Sequence, residues 1–232
     1  MISTSDRGQL KQMDVETRAR ASGGASSEPI YEMVARAIAA RHPGGGVLVD
    51  VGCGGGKLWE FVGDRFDRYI GVDVVKYEGF PAEGEFIGYE LDAGKAPLAD
   101  ASANVVCAVE TIEHLENPRA FMRELVRLTK PGGWAIVTTP NQLSLLSKIT
   151  LVLKNQFNAF QEAPGCYPAH ITALLEIDLI RIATECGLTE VKIDYTNKGR
   201  IPFTRWHWPK SIGFRGRAFS DNILCLGMKL KV

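Results

Sequence analysis

The stretch from Gly46 to Gly56, Gly-Val-Leu-Val-Asp-Val-Gly-Cys-Gly-Gly-Gly, leaves few folds open to this chain. A short apolar run, Val47 to Val51 interrupted only by Asp50, enters a cluster of glycines directly. Such a run predicts a buried parallel strand that ends in a tight turn, with a helix starting just after. Glycines have a physical purpose there, because the backbone must bend sharply and lie against a ligand that a Cβ would push away. The free N–H groups at the start of the helix then point at that ligand.

Counting excludes two phosphate-binding loops. A dinucleotide fingerprint starting at Gly52 needs a glycine where Lys57 stands, and a P-loop needs Ser or Thr where Leu58 stands. What remains is Gly52-x-Gly54-x-Gly56 with Asp50 two residues ahead. Leu58, Phe61 and Val62 mark a short helix, and Tyr69 to Asp73 reads as a second strand, so the whole is a right-handed βαβ unit. Asp73 falls nineteen residues after Gly54, close to the spacing at which doubly wound folds set an acid against ribose hydroxyls.

With 232 residues, 45% of them hydrophobic and 23% charged, the chain has enough apolar mass for one α/β domain with a full core. Residues 1–26 read as a loose polar tail and 27–232 as the domain, with 142–170 and 197–221 as its substrate-side segments. Ser27 is the expected N-cap of a helix carrying Ile30, Met33, Val34, Ala37 and Ile38, stopped by His42-Pro43-Gly44. Further strands are expected at Glu85 to Leu91, Val105 to Val109, Trp134 to Thr138, Val191 to Tyr195 and Ile223 to Met228. Helical patterns lie between them: one with Phe121, Leu125 and Leu128, one with an apolar stripe of Leu145, Leu146, Ile149, Val152 and Leu153, and a long one from His170 to Cys186.

Lys plus Arg equals Asp plus Glu at 27 each, which argues against binding duplex nucleic acid through the overall field but permits a local basic patch. Five scattered cysteines without a Cys-x-x-Cys pair suit a reduced, cytoplasmic protein. The N-terminal residues lack the pattern of a secretion signal, and the longest apolar cluster, Leu143 to Leu153, is too short to span a bilayer.

The glycine loop with Asp50 and Asp73, the pattern Leu91-Asp92-Ala93 before Ala96-Pro97-Leu98, and Lys130-Pro131-Gly132-Gly133 before a strand together resemble the class I methyltransferases that use S-adenosylmethionine. The motif match covers roughly Val47 to Asn141. The resemblance implies an α/β Rossmann-like sheet of seven mostly parallel strands, ordered 3-2-1-4-5-7-6 with the last antiparallel and helices on both faces. It implies a cofactor site built from Asp50, Gly52, Cys53, Gly54, Asp73, Val74, Leu91, Asp92, Ala93 and Glu110. In that family Asp92 faces the adenine amino group. Asn104 departs from the pattern, standing where an Asp often precedes the fourth strand, and is expected to alter only local turn chemistry.

Methyl transfer to an oxygen requires loss of a proton, and His114 and His170 are the candidates for that work; His42 and His207 lie at a helix end and between tryptophans. Glu110, Glu113 and His114 are spaced for one helical face and with His170 form a set suited to Mg²⁺ or Mn²⁺. Glu-x-x-Glu-His of this kind resembles the metal site of ubiquinone-biosynthesis O-methyltransferases and of small-RNA 2′-O-methyltransferases. A metal site, a proton-accepting or substrate-orienting histidine, and a purely structural pair all stay open on the sequence.

Residues from Thr139-Pro140-Asn141 to Phe160, with Gly199-Arg200-Ile201-Pro202 and Phe219-Ser220-Asp221-Asn222, resemble a bacterial branch associated with cell-envelope sugar or lipid-linked substrates. From Lys198 to Arg217 there are six Lys or Arg and no acid, with Phe203, Trp206, Trp208 and Phe214 interleaved. Such a segment suits a phosphate-bearing or membrane-surface substrate, stacking on sugars, or packing against the domain or a second copy in a homodimer. The expected activity is O-methylation of a small molecule or glycan precursor. A metal-dependent RNA 2′-O-methyltransferase and a cofactor-binding module without catalysis are the alternatives.

Overall fold

Alternate residues of the central strands feed two separate cores, and this two-sided burial is why their sequences read as continuous apolar runs. The computed structural model describes residues 15–21, 23–163, 165–209 and 213–231. Strands β1 (Val47–Val51), β2 (Arg68–Asp73), β3 (Glu85–Gly88), β4 (Ala103–Ala108), β5 (Thr129–Pro140), β6 (Leu188–Tyr195) and β7 (Asn222–Lys229) form one sheet in the order β3-β2-β1-β4-β5-β7-β6. Strands β1 to β5 pair in parallel, while β7 runs antiparallel to both β5 and β6. This is the order and sense that the family resemblance implies.

On one face, Val49, Val51, Val106 and Ala108 pack against Phe121, Met122 and Leu125 of α4 (Pro118–Leu128) and Leu179 and Ile182 of α6 (Glu176–Glu185). On the other, Leu48, Val105 and Cys107 meet Met33, Val34 and Ile38 of α2 (Glu28–Ala39) and Val62 of α3 (Trp59–Val62). Asn104 lies inside β4, where its Oδ1 accepts from the Val47 N–H at 3.0 Å and from Lys130 Nζ at 3.0 Å. It thus closes the entry to β1, a local role as expected.

Several boundaries differ from the sequence expectation. The third strand ends at Gly88, and Leu91–Ala93 is a 3₁₀ turn instead. Strand β5 starts at Thr129, so Lys130 to Gly133 belong to it, with a register shift against β4 between Ala103 and Val105. Ser27 sits at the N-cap of α2 without a capping side-chain hydrogen bond. The helix expected from His170 begins only at Glu176, because the N–H groups of Ile171 and Thr172 donate to the Glu113 carbonyl and the Thr172 hydroxyl donates to that of Leu115. Those bonds keep 170–175 out of the helix and tie them to the turn at Glu113.

The tail is corrected as well: Val15–Ala21 is a helix (α1), and Gly24 packs on the glycine loop, so the described part of 1–26 is not loose; residues 1–14 lie outside the described residues. Helix α5 (Leu145–Lys154) forms as expected, but its buried side chains are Ser147 and Thr150, whereas Val152 and Leu153 face solvent. Among the described residues no helix is long and apolar enough to cross a membrane.

Candidate active site

At the carboxyl end of β1 the chain turns through Gly52 and Gly54, both in the left-handed region with φ of 76° and 50°. A Cβ on Gly52 would stand 2.3 Å from Thr111 Oγ1, and one on Gly54 would stand 2.0 Å from the Gly24 carbonyl. No other residue fits either place. The Gly54 N–H donates to Asp73 Oδ2 at 2.8 Å and the Val75 N–H to Oδ1 at 3.3 Å, so the β2 acid is fastened to the loop. Burial raises the Asp73 pKa, while the Gly54, Val75 and Val74 N–H groups lower it.

This corner borders a cavity of about 330 Å³ lined by Asp50, Gly52, Cys53, Gly54, Asp73, Val74, Leu91, Asp92, Glu110, His114 and His170. Of the expected cofactor and catalytic residues only Ala93 is not on its wall, and Glu113 of the expected metal set lies buried behind it. The opposite wall is Ala19, Gly24 to Ser27, Ile30 and Tyr31. That wall is held down by three bonds: the Gly55 N–H donates to Gly24 O at 2.9 Å, the Tyr77 hydroxyl to Ala19 O at 2.7 Å, and the Ser26 N–H to the Tyr31 hydroxyl at 2.8 Å. Sequence reasoning did not find Tyr31, Tyr77 or this strap, since its grip on the loop is a backbone bond that no side-chain pattern announces.

Asp50 is buried; the Tyr69 hydroxyl donates to its Oδ2 at 3.0 Å, and its Oδ1 has no hydrogen-bond partner among the described residues. Desolvation pushes its pKa to about 7. A buried carboxylate of this kind is waiting for a cationic group.

Four more polar groups converge beyond it. Glu110 sits at φ 51°, a strained conformation for a non-glycine residue, held by its N–H donating to Thr138 Oγ1 and by Asn222 Nδ2 donating to its Oε2 at 2.7 Å. Its Oε1 has no partner, and neither oxygen of the fully buried Glu113 has one among the described residues. Burial pushes both carboxyls up, Glu113 further because Glu110 lies close. His170 Nε2 is 4.0 Å from Glu113 Oε1, and the His114 and His170 rings meet edge-on at 4.7 Å. His114 Nδ1 donates to Ala169 O and His170 Nδ1 to Ala159 O, and on a neutral His170 ring that leaves the lone pair at Nε2. Burial, then the nearby His114, lowers His170 to about 4. Glu113, His114 and His170 each offer a ligand atom, all within 4.8 Å of one another. His42 instead bonds Gly45 O and stacks on Phe66, and His207 is exposed.

A second cavity of about 250 Å³ adjoins the first and shares Glu110, Cys166, His170 and Asn222 with it. Its wall is polar: Asn141, Gln142, Ser144, Ser147, Asn158, Arg200 and Asp221. Asn222, from β7, was not foreseen, because it reaches Glu110 across 112 residues and only the antiparallel return of the last strand brings it there.

Residues 28–193 match the family model described as a methyltransferase domain. The chain is a class I S-adenosylmethionine-dependent methyltransferase. It is 32% identical over 117 residues to a protein of Mycolicibacterium smegmatis named as a probable S-adenosylmethionine-dependent methyltransferase, covering 49% of this chain and 45% of that one. It is 29% identical over 160 residues to the ubiquinone biosynthesis O-methyltransferase of Burkholderia pseudomallei, covering 66% and 68%. Against the first of these relatives the chain thus spans less than half of the other protein's length. A solved methyltransferase from Archaeoglobus fulgidus superposes with a TM-score of 0.61 at 16% identity, covering 90% of this chain and 98% of that one.

For this methyltransferase, Asp50→Asn is expected to exchange stability for function. Folding holds the Asp50 carboxyl near 7 against a usual 3.8, so the folded protein keeps a proton that the unfolded chain loses as pH rises between those values. Stability falls across that window and stays low above it. At pH 8 the substitution should therefore raise Tm by roughly 5 °C, with the difference vanishing near pH 4, and weaken S-adenosylhomocysteine binding about tenfold. Thermal melts across pH and calorimetric titration check both.

Proposed function

We propose that this methyltransferase moves the methyl group of S-adenosylmethionine onto a hydroxyl oxygen of a small acceptor, a sugar-containing or lipid-linked precursor. In this reading Glu110, Glu113, His114 and His170 hold a divalent cation, Mg²⁺ or Mn²⁺. The observation that carries it is Glu113, a carboxyl with no solvent exposure and no well-formed hydrogen bond among the described residues, with the Thr139 hydroxyl near it and His170 Nε2 facing it at 4.0 Å. A buried charge so placed is costly unless something pairs with it, and the His170 imidazole beside it, held neutral by burial, offers a lone pair rather than a proton. The Glu113 carboxylate and the two imidazoles, with ligand atoms within 4.8 Å of one another, fit a divalent cation with Glu110 alongside, and the Ala169 and Ala159 carbonyls orient the rings as outer-shell acceptors do. A bound cation supplies Lewis acidity at this point, which makes a hydroxyl easier to deprotonate.

The sulfonium donor is already activated, so the protein's main part is alignment, which supplies about 7–11 kcal/mol when reacting atoms are held near contact. Asp73 accepts from the ribose hydroxyls, Asp50 faces the ammonium group, and Gly52 and Gly54 admit the cofactor to close range. An acceptor in the second cavity meets the methyl group where the two cavities join, beside Glu110 and His170. The carboxamides, hydroxyls and the Arg200–Asp221 pair of that cavity suit a hydroxylated head group.

The test is transfer of radiolabelled methyl from S-adenosylmethionine to a panel of glycosides, polyprenyl-phosphate sugars and catechols, with Mn²⁺ and with EDTA. Formation of a methyl ether that EDTA stops is the expected result. Transfer that EDTA leaves intact and His170→Ala abolishes would overturn the cation and give the proton to the imidazole. Transfer to amines alone would overturn the oxygen acceptor.

A further inference from the structure

Helix α5 carries its polarity inside out. Ser147 and Thr150 are buried, while Leu151, Val152 and Leu153 are 36%, 83% and 68% exposed. The second cavity explains the inner face: the Ser147 hydroxyl donates to Gln142 Oε1 and accepts from the Asn158 N–H, so the cavity wall needs the polar stripe. The C-terminal part of the apolar stripe, Val152 and Leu153 with Leu151 beside them, is left facing solvent, while Leu145, Leu146 and Ile149 are half-buried.

Across the same cavity, residues 199–208 fold back as a hairpin, with the Ile201 N–H donating to Trp206 O and the Trp208 N–H to Gly199 O. Its base sends Arg200 into the cavity wall and is anchored by Trp208 against Phe214 and Phe219. Its tip presents Phe203 and Trp206, 82% and 75% exposed. Two apolar projections from unrelated parts of the chain therefore flank one cavity.

We propose that these projections seat the protein on an anionic lipid bilayer, so that a lipid-borne acceptor presents its head group to the second cavity from the membrane. The placement of the acceptor rests on the function proposed above; the docking surface does not. Charge selects the occupant. From Asn141 to Gln161 there are two lysines, Lys148 and Lys154, and no acid, and from Tyr195 to Phe219 six Lys or Arg and no acid. Arg215 and Arg217 are paired with Asp194 and Glu176, and Arg200 lies 3.8 Å from Asp221, whereas Lys148, Lys154 and Arg205 form no ion pair among the described residues. The first acid beyond α5 is Glu162. Exposed Trp and Phe beside aliphatic and cationic side chains is the composition of a surface that enters the head-group layer of anionic membranes. A second copy docked on the same patch would set these cations against one another.

The test floats the full chain, loaded with S-adenosylhomocysteine, with vesicles of phosphatidylglycerol and phosphatidylcholine and with phosphatidylcholine alone. Binding to the anionic vesicles, weakened by salt, is expected, and a blue shift of tryptophan fluorescence that Trp206→Ala diminishes should accompany it. The double variants Val152→Glu/Leu153→Glu and Phe203→Ala/Trp206→Ala should each lower the bound fraction about tenfold. Their melting temperatures and S-adenosylhomocysteine affinities should match wild type, since none of the four residues lines the cofactor cavity. No binding to anionic vesicles, or binding that both variants keep, would overturn the proposal. So would a dimer in sedimentation velocity that Val152→Glu/Leu153→Glu dissolves, which would give the surface to a second copy. Vesicle binding without methylation of any lipid-borne hydroxyl upholds the docking surface and counts against the acceptor reading alone.

Discussion

Asp73→Ala is expected to weaken S-adenosylhomocysteine binding about 100-fold. Two losses combine. The carboxylate would no longer accept from the ribose diol, and charge-assisted bonds of that sort contribute about 1.5–3 kcal/mol each. It would also no longer hold the glycine loop, since Asp73 takes the Gly54 N–H at 2.8 Å and the Val75 N–H at 3.3 Å. About 3 kcal/mol of net loss corresponds to the stated factor. Asp73→Asn separates the two, because an amide oxygen still accepts from the Gly54 N–H while the charge is gone; an intermediate affinity is expected. Calorimetric titration of the three proteins measures this, and an Asp73→Ala affinity within threefold of wild type would remove the acid from the cofactor site.

Glu113→Gln should abolish divalent-cation binding and, in EDTA, raise the melting temperature. Both follow from one feature, the carboxyl of a residue with no exposure, raised by burial and by Glu110 and without a well-formed hydrogen bond among the described residues. Without a cation a charge there destabilises the fold, and the neutral amide of the same size relieves the larger part of the cost. With a cation at about 100 times its Kd the wild type gains about 2.7 kcal/mol. That gain raises Tm by roughly 5–10 °C in a protein of this size. The variant should gain nothing, so that the order of the two melting temperatures reverses on adding Mn²⁺. A wild-type melting curve that Mn²⁺ leaves unmoved, with no heat of binding, would leave Glu113 as a partner of His170 alone.

What the sequence discloses here divides by distance along the chain. The glycine loop, Asp50 and Asp73 were readable because each depends on spacing within one βαβ unit, whereas the helical face expected for Glu110, Glu113 and His114 does not form: Glu110 sits at φ 51° outside the 3₁₀ turn Ile112–His114. His170 was readable as a residue of interest but not in its setting. Helical periodicity over 170–186 says nothing of the Glu113 carbonyl that captures the Ile171 and Thr172 N–H groups and keeps His170 out of the helix. The strap over the loop escaped notice because Gly24 grips Gly55 through backbone atoms. In α5 periodicity disclosed a stripe but not its direction, and an apolar stripe defaults to the core unless a polar cavity claims the opposite face. Asn222 was hidden by sheer separation.

The Glu110–Asn222 bond also sets a timetable for the protein's birth. A ribosome releases the glycine loop and the acids of the cleft early, but Glu110 has no Asn222 until β7 has emerged and inserted between β5 and β6. Until then β5 is a bare parallel edge, the kind that recruits neighbouring nascent chains. The strained Glu110 backbone likewise waits for its clamp. The Glu110 clamp is therefore assembled only after the other six strands of the sheet have emerged. Slowing translation over residues 196–221 should lengthen its exposure to aggregation without touching any residue of the cofactor loop.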